Sequence, residues 1–112
     1  MRHKTICLAR YASSVWVGVA SKKSHTRAAN NPYSFTNRIH AELAALIKLP
    51  VHLDGRRVKI TVLRVNIKTG VISMSKPCFS CQNFLRNRGI ALRNIQYSGW
   101  NGEMLTMNEW EI

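Results

Sequence analysis

The strongest helical pattern in the chain covers residues 39–49, IHAELAALIKL. Its apolar residues recur at helical spacing and form one stripe, and Pro50 follows directly, where a proline ends a helix. The stripe consists of Ile39, Leu43, Leu46 and Ile47. The pattern therefore predicts a helix that turns one face toward a core.

The segments on either side of this helix predict further helices and several strands. Pro77 suits the first turn of a helix, and Gly89 suits its C-terminal cap, which predicts a helix between them. A helix over residues 5–12 is expected to open the chain. Residues 15–20 are rich in β-branched and aromatic residues, and residues 58–65 alternate apolar with polar side chains before an apolar continuation, so both segments predict strands. Shorter strands are expected over residues 26–29, 71–74, 94–97 and 103–107, next to turn signals. This order predicts an α/β fold with helices packed on a mixed sheet.

Length and composition favour one domain over residues 1–112. A chain of 112 residues with 46% hydrophobic and 20% charged residues is too apolar for a disordered protein. The three cysteines are an odd number, and two of them are spaced as Cys-x-x-Cys, so a metal or catalytic pair in a reducing compartment is expected. No apolar run approaches the roughly 18 residues of a spanning helix. We expect a soluble, cytoplasmic protein without a membrane partner.

The charge of the chain is strongly positive and unevenly distributed. There are 17 Lys and Arg residues against 5 Asp and Glu, a net charge of +12. Three of the acidic residues lie in the last ten positions, so residues 1–102 hold all the basic residues against Glu42 and Asp54 alone. Such an excess favours a polyanionic partner, nucleic acid above all, over a neutral metabolite. The alternative is a solvated basic surface without a specific ligand.

Two short motifs carry the chemistry, and both are predicted to open helices. One is His40-Ala41-Glu42 and the other is Pro77-Cys78-Phe79-Ser80-Cys81. One imidazole and two thiolates provide three ligands for a tetrahedral zinc and leave the fourth position for water, the arrangement of catalytic zinc sites. Glu42 is close enough to move protons to and from that water. The motifs predict hydrolysis.

Cys-x-x-Cys also occurs in redox pairs and in zinc ribbons. A ribbon needs a second pair of ligands, which Cys7 alone cannot complete. A nucleic-acid-binding module with a structural zinc is a further alternative, although the carboxylate of Glu42 argues against it.

His-x-Glu followed by Pro-Cys-x-x-Cys resembles the zinc nucleobase deaminases. The chain is similar to the cytidine/deoxycytidylate deaminase-like superfamily, in particular to small single-domain members of the phage or bacterial toxin type. The resemblance implies a three-layer fold and Zn²⁺ held by His40, Cys78 and Cys81. It also implies that Glu42 shuttles protons while activated water attacks C4 of a cytosine, or C6 of an adenine, and ammonia leaves.

The resemblance further implies substrate contacts near the zinc. Members of this superfamily use an asparagine ahead of the histidine to hold the base or sugar, which favours Asn30 over Asn31, although either residue also suits a turn. Aromatic side chains can stack on a base or pack into the core. The expected substrate contacts are Asn30, Asn31, Tyr33, Phe35, Ala41 and Trp100.

Few residues follow Ser98, so the last strand is expected to return as an antiparallel hairpin, as in free cytidine deaminases and in toxin and phage-type deaminases. The acidic residue with which free cytidine deaminases bind ribose is missing after Asn30. We therefore expect deamination of cytosine in a polynucleotide, single-stranded DNA before RNA. Deamination of free cytidine, deoxycytidine or dCMP is the alternative, and the oligomeric state is left open. Backbone contacts are expected from Lys22, Lys23, Arg27 and Arg38.

Overall fold

The computed structural model describes residues 3–20 and 40–111, and it begins with an antiparallel hairpin of β1 (His3–Tyr11) and β2 (Ser14–Val19). The helix expected over residues 5–12 is wrong, because this segment is β1. Cys7 and Ala9 are buried while Ile6 and Leu8 point to the opposite face of the strand. A strand that is apolar on both faces lacks the alternation that distinguishes it from a short helix.

The strands of residues 3–20 and 40–111 form one open mixed sheet of six strands in the order β2-β1-β3-β5-β6, with β4 also paired to β3. The β3–β5 pair is parallel and the other pairs are antiparallel. The predicted C-terminal antiparallel hairpin is confirmed by β5 and β6. The bounds are β3 (Lys59–Asn66), β4 (Ile72–Ser73), β5 (Ile95–Ser98) and β6 (Met104–Thr106). The strand expected over residues 26–29 lies outside the described residues.

Two helices in the described residues, α1 (Ala41–Leu46) and α2 (Phe79–Asn87), pack against the buried face of this sheet. The strand side chains that form the core on this face are apolar. These strand residues are Cys7, Ala9, Ile60, Val62, Ile95 and Tyr97, and the helices add Leu43, Leu46, Phe84 and Leu85. The mixed α/β fold is thus confirmed, with the helices on one side of the sheet.

Both helices are shorter than predicted. After α1 the amides of Lys48 and Leu49 bond to carbonyls three residues back, so the chain tightens before Pro50. Cys78 caps the N-terminus of α2, which places Pro77 ahead of the helix and not in its first turn. The predicted C-terminal cap is confirmed, because Gly89 has a φ of 84° and Ile90 N donates to Leu85 O at 3.0 Å.

Two short 3₁₀ turns, Gly55–Arg57 and Leu92–Asn94, lead into β3 and β5. A layer on the other side of the sheet, which a three-layer arrangement requires, is not formed by residues 3–20 and 40–111. Within these same residues no helix is long and apolar enough to cross a membrane.

Gly18 decides how closely α1 approaches β2. A Cβ atom at this position would collide with backbone atoms of Ala41, Ala44 and Ala45. We expect Gly18→Ala to lower the free energy of unfolding by about 3 kcal/mol, because helix and strand must separate. Urea denaturation followed by circular dichroism measures the loss. Gly70→Ala is the control: its φ of 75° strains an alanine, but nothing lies within 4 Å. Equal losses in the two variants would contradict close packing at Gly18.

Candidate metal centre

The N-termini of α1 and α2 each present a metal-ligand side chain. His40 caps α1 and its carbonyl accepts the first helical hydrogen bond from Ala44 N at 3.0 Å. Cys78 caps α2 in the same way, with Gln82 N donating to its carbonyl at 2.8 Å. Both caps have extended backbone, so their side chains leave the helix at its end. The predicted positions of both motifs at helix N-termini are confirmed.

The three predicted ligand residues converge. His40 Nδ1 lies 3.2 Å from Cys81 Sγ and 3.4 Å from Cys78 Sγ, and all three ligand atoms lie within 4.8 Å of one another. Cys81 is buried, whereas His40 and Cys78 are exposed. One nitrogen and two sulfurs suit zinc, and three protein ligands leave one tetrahedral position open. The group can therefore hold a metal ion that solvent reaches from the side of His40 and Cys78.

The thiol groups of Cys78 and Cys81 differ in acidity, and Cys81 holds its proton more tightly. The Cys81 thiol and then His40 hydrogen-bond to Cys78, which lowers the pKa of Cys78 to about 4. The pKa of Cys81 is raised, first by its hydrogen bond to Cys78 and then by burial. Cys78 is thus a thiolate at neutral pH and is ready to bind a cation. A metal ion would take the place of the proton that Cys81 holds.

Glu42 brings a buried carboxyl group to the ligands. It lies in the first turn of α1 and its side chain hydrogen-bonds to Cys81. Burial raises the pKa of Glu42 and the Cys78 thiolate adds to this, while its backbone hydrogen bond, His40 and the Cys81 hydrogen bond act in the opposite direction. A carboxyl group whose proton affinity is increased in this way can both accept and donate a proton.

Cys7 lies on β1 close to Glu42 but outside the ligand group. Its pKa is raised by burial and by the charge of Glu42. Cys7 therefore remains a neutral thiol in the core, and two of the three cysteines are left for a metal.

Sequence reasoning missed a link between the C-terminal tail and α2. Gln82 is buried and its Nε2 donates to Pro77 O and to Glu111 Oε1, both at 2.9 Å. Glu111 N donates in return to Gln82 Oε1 at 2.9 Å, and Lys76 Nζ lies 3.0 Å from Glu111 Oε1. The tail thus holds the segment that precedes Cys78. Gln82 could have been noticed in the sequence as a polar residue on the apolar side of a predicted helix. No local pattern indicates that Glu111 is its partner.

Two buried serines hold the other end of that segment. Ser75 Oγ donates to Val62 O at 2.7 Å and accepts from Ser98 N at 2.8 Å. Ser98 Oγ donates to Ser73 O at 2.6 Å. These bonds join β3, β4 and β5 directly ahead of Pro77, so the position of Cys78 is set by the sheet.

The predicted substrate contacts are only partly described. Trp100 is 76% exposed in the turn between β5 and β6, and Ala41 is buried in the core beside Gly18. Phe79, which the sequence analysis did not single out, directly follows Cys78 and is 63% exposed. The Pro77–Cys81 motif itself contains this aromatic residue, so Phe79 could have been identified from the sequence as a candidate substrate contact. The other predicted contacts, Asn30, Asn31, Tyr33 and Phe35, lie outside the described residues, as do Lys22, Lys23, Arg27 and Arg38.

A scan against protein-family models found no match, and a search of curated proteins found no significantly similar protein. The function is therefore inferred from the residues of the site. The ligand group and Glu42 indicate the reaction. The exposed residues around them indicate the kind of substrate.

Proposed function

We propose that this protein is a zinc-dependent deaminase that converts cytosine to uracil in a polynucleotide, single-stranded DNA before RNA. The observation that carries the proposal is the buried carboxyl group of Glu42 beside a His40, Cys78 and Cys81 ligand group. A closed structural zinc site uses four protein ligands and has no need of a nearby buried carboxyl group. Three ligands together with Glu42 suit hydrolysis.

The ligand group fits zinc by its chemistry, because it combines one imidazole with a thiolate and a thiol that can lose its proton. Zinc bound by His40, Cys78 and Cys81 supplies a Lewis acid that makes a bound water reactive at neutral pH. Cys81 is buried and hydrogen-bonds to Glu42. His40 and Cys78 are exposed, so a base approaches from their side.

Glu42 moves the protons of the reaction. In cytosine deamination a C4–O bond forms from water, the C4–N bond breaks, and ammonia leaves, so water and cytosine become uracil and ammonia. The Glu42 carboxylate accepts a proton from the attacking water and returns it to the departing amino group. Its position supports this role, because Glu42 lies two residues from His40 and hydrogen-bonds to Cys81.

The fold supports the same proposal in its order of elements. A β-hairpin precedes α1, the strands β3 and β4 separate α1 from α2, and the antiparallel hairpin of β5 and β6 follows α2. This order agrees with the cytidine deaminase-like arrangement that the two motifs imply. The third layer of that arrangement would have to come from outside residues 3–20 and 40–111.

Charge and exposed aromatic residues support a polynucleotide substrate. The net charge of +12 is of little use in binding a neutral nucleoside, whereas phosphates neutralise it. Phe79 and Trp100 are exposed, and Phe79 adjoins Cys78. Aromatic faces stack on bases without regard to sequence, which is common in proteins that bind single strands.

A substrate panel tests the proposal. We expect ammonia release and conversion of cytosine to uracil on single-stranded oligonucleotides, less on duplex, and little on cytidine or dCMP. The affinity for single-stranded oligonucleotides should fall as the salt concentration rises. The expected slope of log K against log salt concentration is about −0.7 for each phosphate contacted. Phe79→Ala should raise KM for oligonucleotides, because it removes an exposed aromatic face next to Cys78.

Salt-insensitive turnover of free cytidine with no reaction on any oligonucleotide would replace the polymer by the nucleoside as substrate. Tight oligonucleotide binding by the zinc-loaded protein without ammonia release from any substrate would instead indicate a binding module with a structural zinc.

A further inference from the structure

The face of the sheet opposite α1 and α2 is apolar across three neighbouring strands. Successive residues of a strand point to opposite faces, so Ile6 and Leu8 point away from the helices that cover Cys7 and Ala9. Residues that pair directly across the sheet point to the same face. Val19 and Leu63 pair with Ile6, and Val17 pairs with Leu8. We call this the back face, and it consists of Ile6, Leu8, Val15, Val17, Val19 and Leu63.

The back face is not part of the core. Val15 is 51% exposed and Val17 is 42% exposed. The other four residues are only partly buried, and none of the six belongs to the core or packs against it. A contiguous apolar patch on this scale commonly marks a surface that binds a partner.

The charges around the back face are all positive. Lys4 and Arg10 lie on the same side of β1 as Ile6 and Leu8, and Lys59 pairs directly with Arg10 across to β3. Like charges opposite each other on neighbouring strands are destabilising, and an anion between them removes that cost. The five acidic residues of the chain, Glu42, Asp54, Glu103, Glu109 and Glu111, lie outside β1, β2 and β3.

We propose that the back face binds an acidic amphipathic helix of another protein. Three adjacent strands span about 10 Å between the outer two, which matches the diameter of one helix. Apolar residues at helical spacing would cover Leu8 and Val17, and flanking carboxylates would meet Arg10 and Lys59. The metal centre lies on the other side of the sheet and is not blocked by this partner.

Charge argues against two other occupants. In a face-to-face dimer, two chains of net charge +12 would bring the same basic residues together. Residues 21–39 of the chain contain four basic residues and no acidic residue, so they would add to the positive charge. Neither occupant offers the carboxylates that Arg10 and Lys59 require.

A synthetic helical peptide of about 18 residues, five turns, with a leucine stripe flanked by glutamates, is the probe. Its control is the same peptide with lysine in place of each glutamate. We expect the full-length protein to bind the acidic peptide and not the basic one, by calorimetry, with affinity that falls as salt rises.

Point variants locate the peptide. We expect Val17→Lys and Arg10→Glu each to weaken binding about tenfold, since one side chain of either kind contributes on that scale. The matched controls are Val51→Lys, an exposed valine outside the back face, and Arg93→Glu, which lies in the 3₁₀ turn before β5. Both controls should bind as the wild type does. Circular dichroism should show that all four variants are folded.

Three results would overturn the proposal. The first is equal binding of the acidic and basic peptides, or equal binding by wild type and Val17→Lys. The second is a dimer in sedimentation that Val17→Lys dissociates, which would assign the face to a second copy. The third is slow thiol labelling at position 15 of Val15→Cys in the free protein, located by peptide mass spectrometry because Cys78 is also exposed, which would show that the chain covers the face itself.

Discussion

One zinc ion per chain is expected in the purified protein, and none after Cys81→Ala or Cys78→Ala. Each substitution removes one of three ligands, and zinc binding of this kind involves on the order of 10 kcal/mol. Elemental analysis of the protein after gel filtration measures the metal. Cys81 is buried and Cys78 is exposed. Cys81→Ala should therefore also lower the stability of the metal-free protein, whereas Cys78→Ala should leave it nearly unchanged.

Cys7→Ala provides the matched control. Cys7 is as buried as Cys81 but lies outside the ligand group, so this variant should lose stability and keep its zinc. A chelator should lower the melting temperature of the wild type, because the metal joins α1 to α2. Wild-type protein without metal, or zinc lost equally from Cys7→Ala, would refute the assigned ligands.

Glu42→Gln is expected to retain fold and zinc while deamination falls by about 10²-fold to 10⁴-fold. Glutamine has the same shape as glutamate but cannot take a proton from water. It also places no charge in the buried position that Glu42 occupies, so burial does not oppose folding of the variant. The measurement is turnover on the most active substrate of the panel, together with zinc content and thermal unfolding.

Glu103→Gln is the control for Glu42→Gln. Glu103 is exposed and accepts a hydrogen bond from Asn101 N in the turn between β5 and β6, away from the ligand group. It should retain wild-type turnover. If Glu42→Gln also retained it, proton transfer would belong to another group and the proposed mechanism would be wrong.

Features that depend on neighbouring residues can be predicted from the amino-acid order alone. Cys78 and Cys81 are three positions apart at the start of a helix, so one turn brings both sulfurs to the same side. Gly89 ends α2 because only a residue that tolerates positive φ fits there. The terminal hairpin agrees with the turn signal of residues 98–102, Ser-Gly-Trp-Asn-Gly, in which Gly102 has a φ of 80°.

The first strand could not be predicted in this way. Cys7 and Ala9 alternate with Ile6 and Leu8, so β1 is apolar on both faces, and the segment resembles a short helix in its pattern. The segment is a strand because it pairs with both β2 and β3, which provide hydrogen-bond partners for its backbone N–H and C=O groups. These partners are distant in sequence.

Contacts between residues far apart in the sequence depend on how the helices pack on the sheet. His40 is 38 residues from Cys78 and 41 from Cys81, and packing of α1 and α2 on one face of the sheet brings their N-termini together. The same packing buries Glu42 and brings Glu111 to Gln82. Residue type indicates which groups can bind a metal or move a proton. Distance and burial, which set their pKa values and contacts, arise only when separate segments share one core.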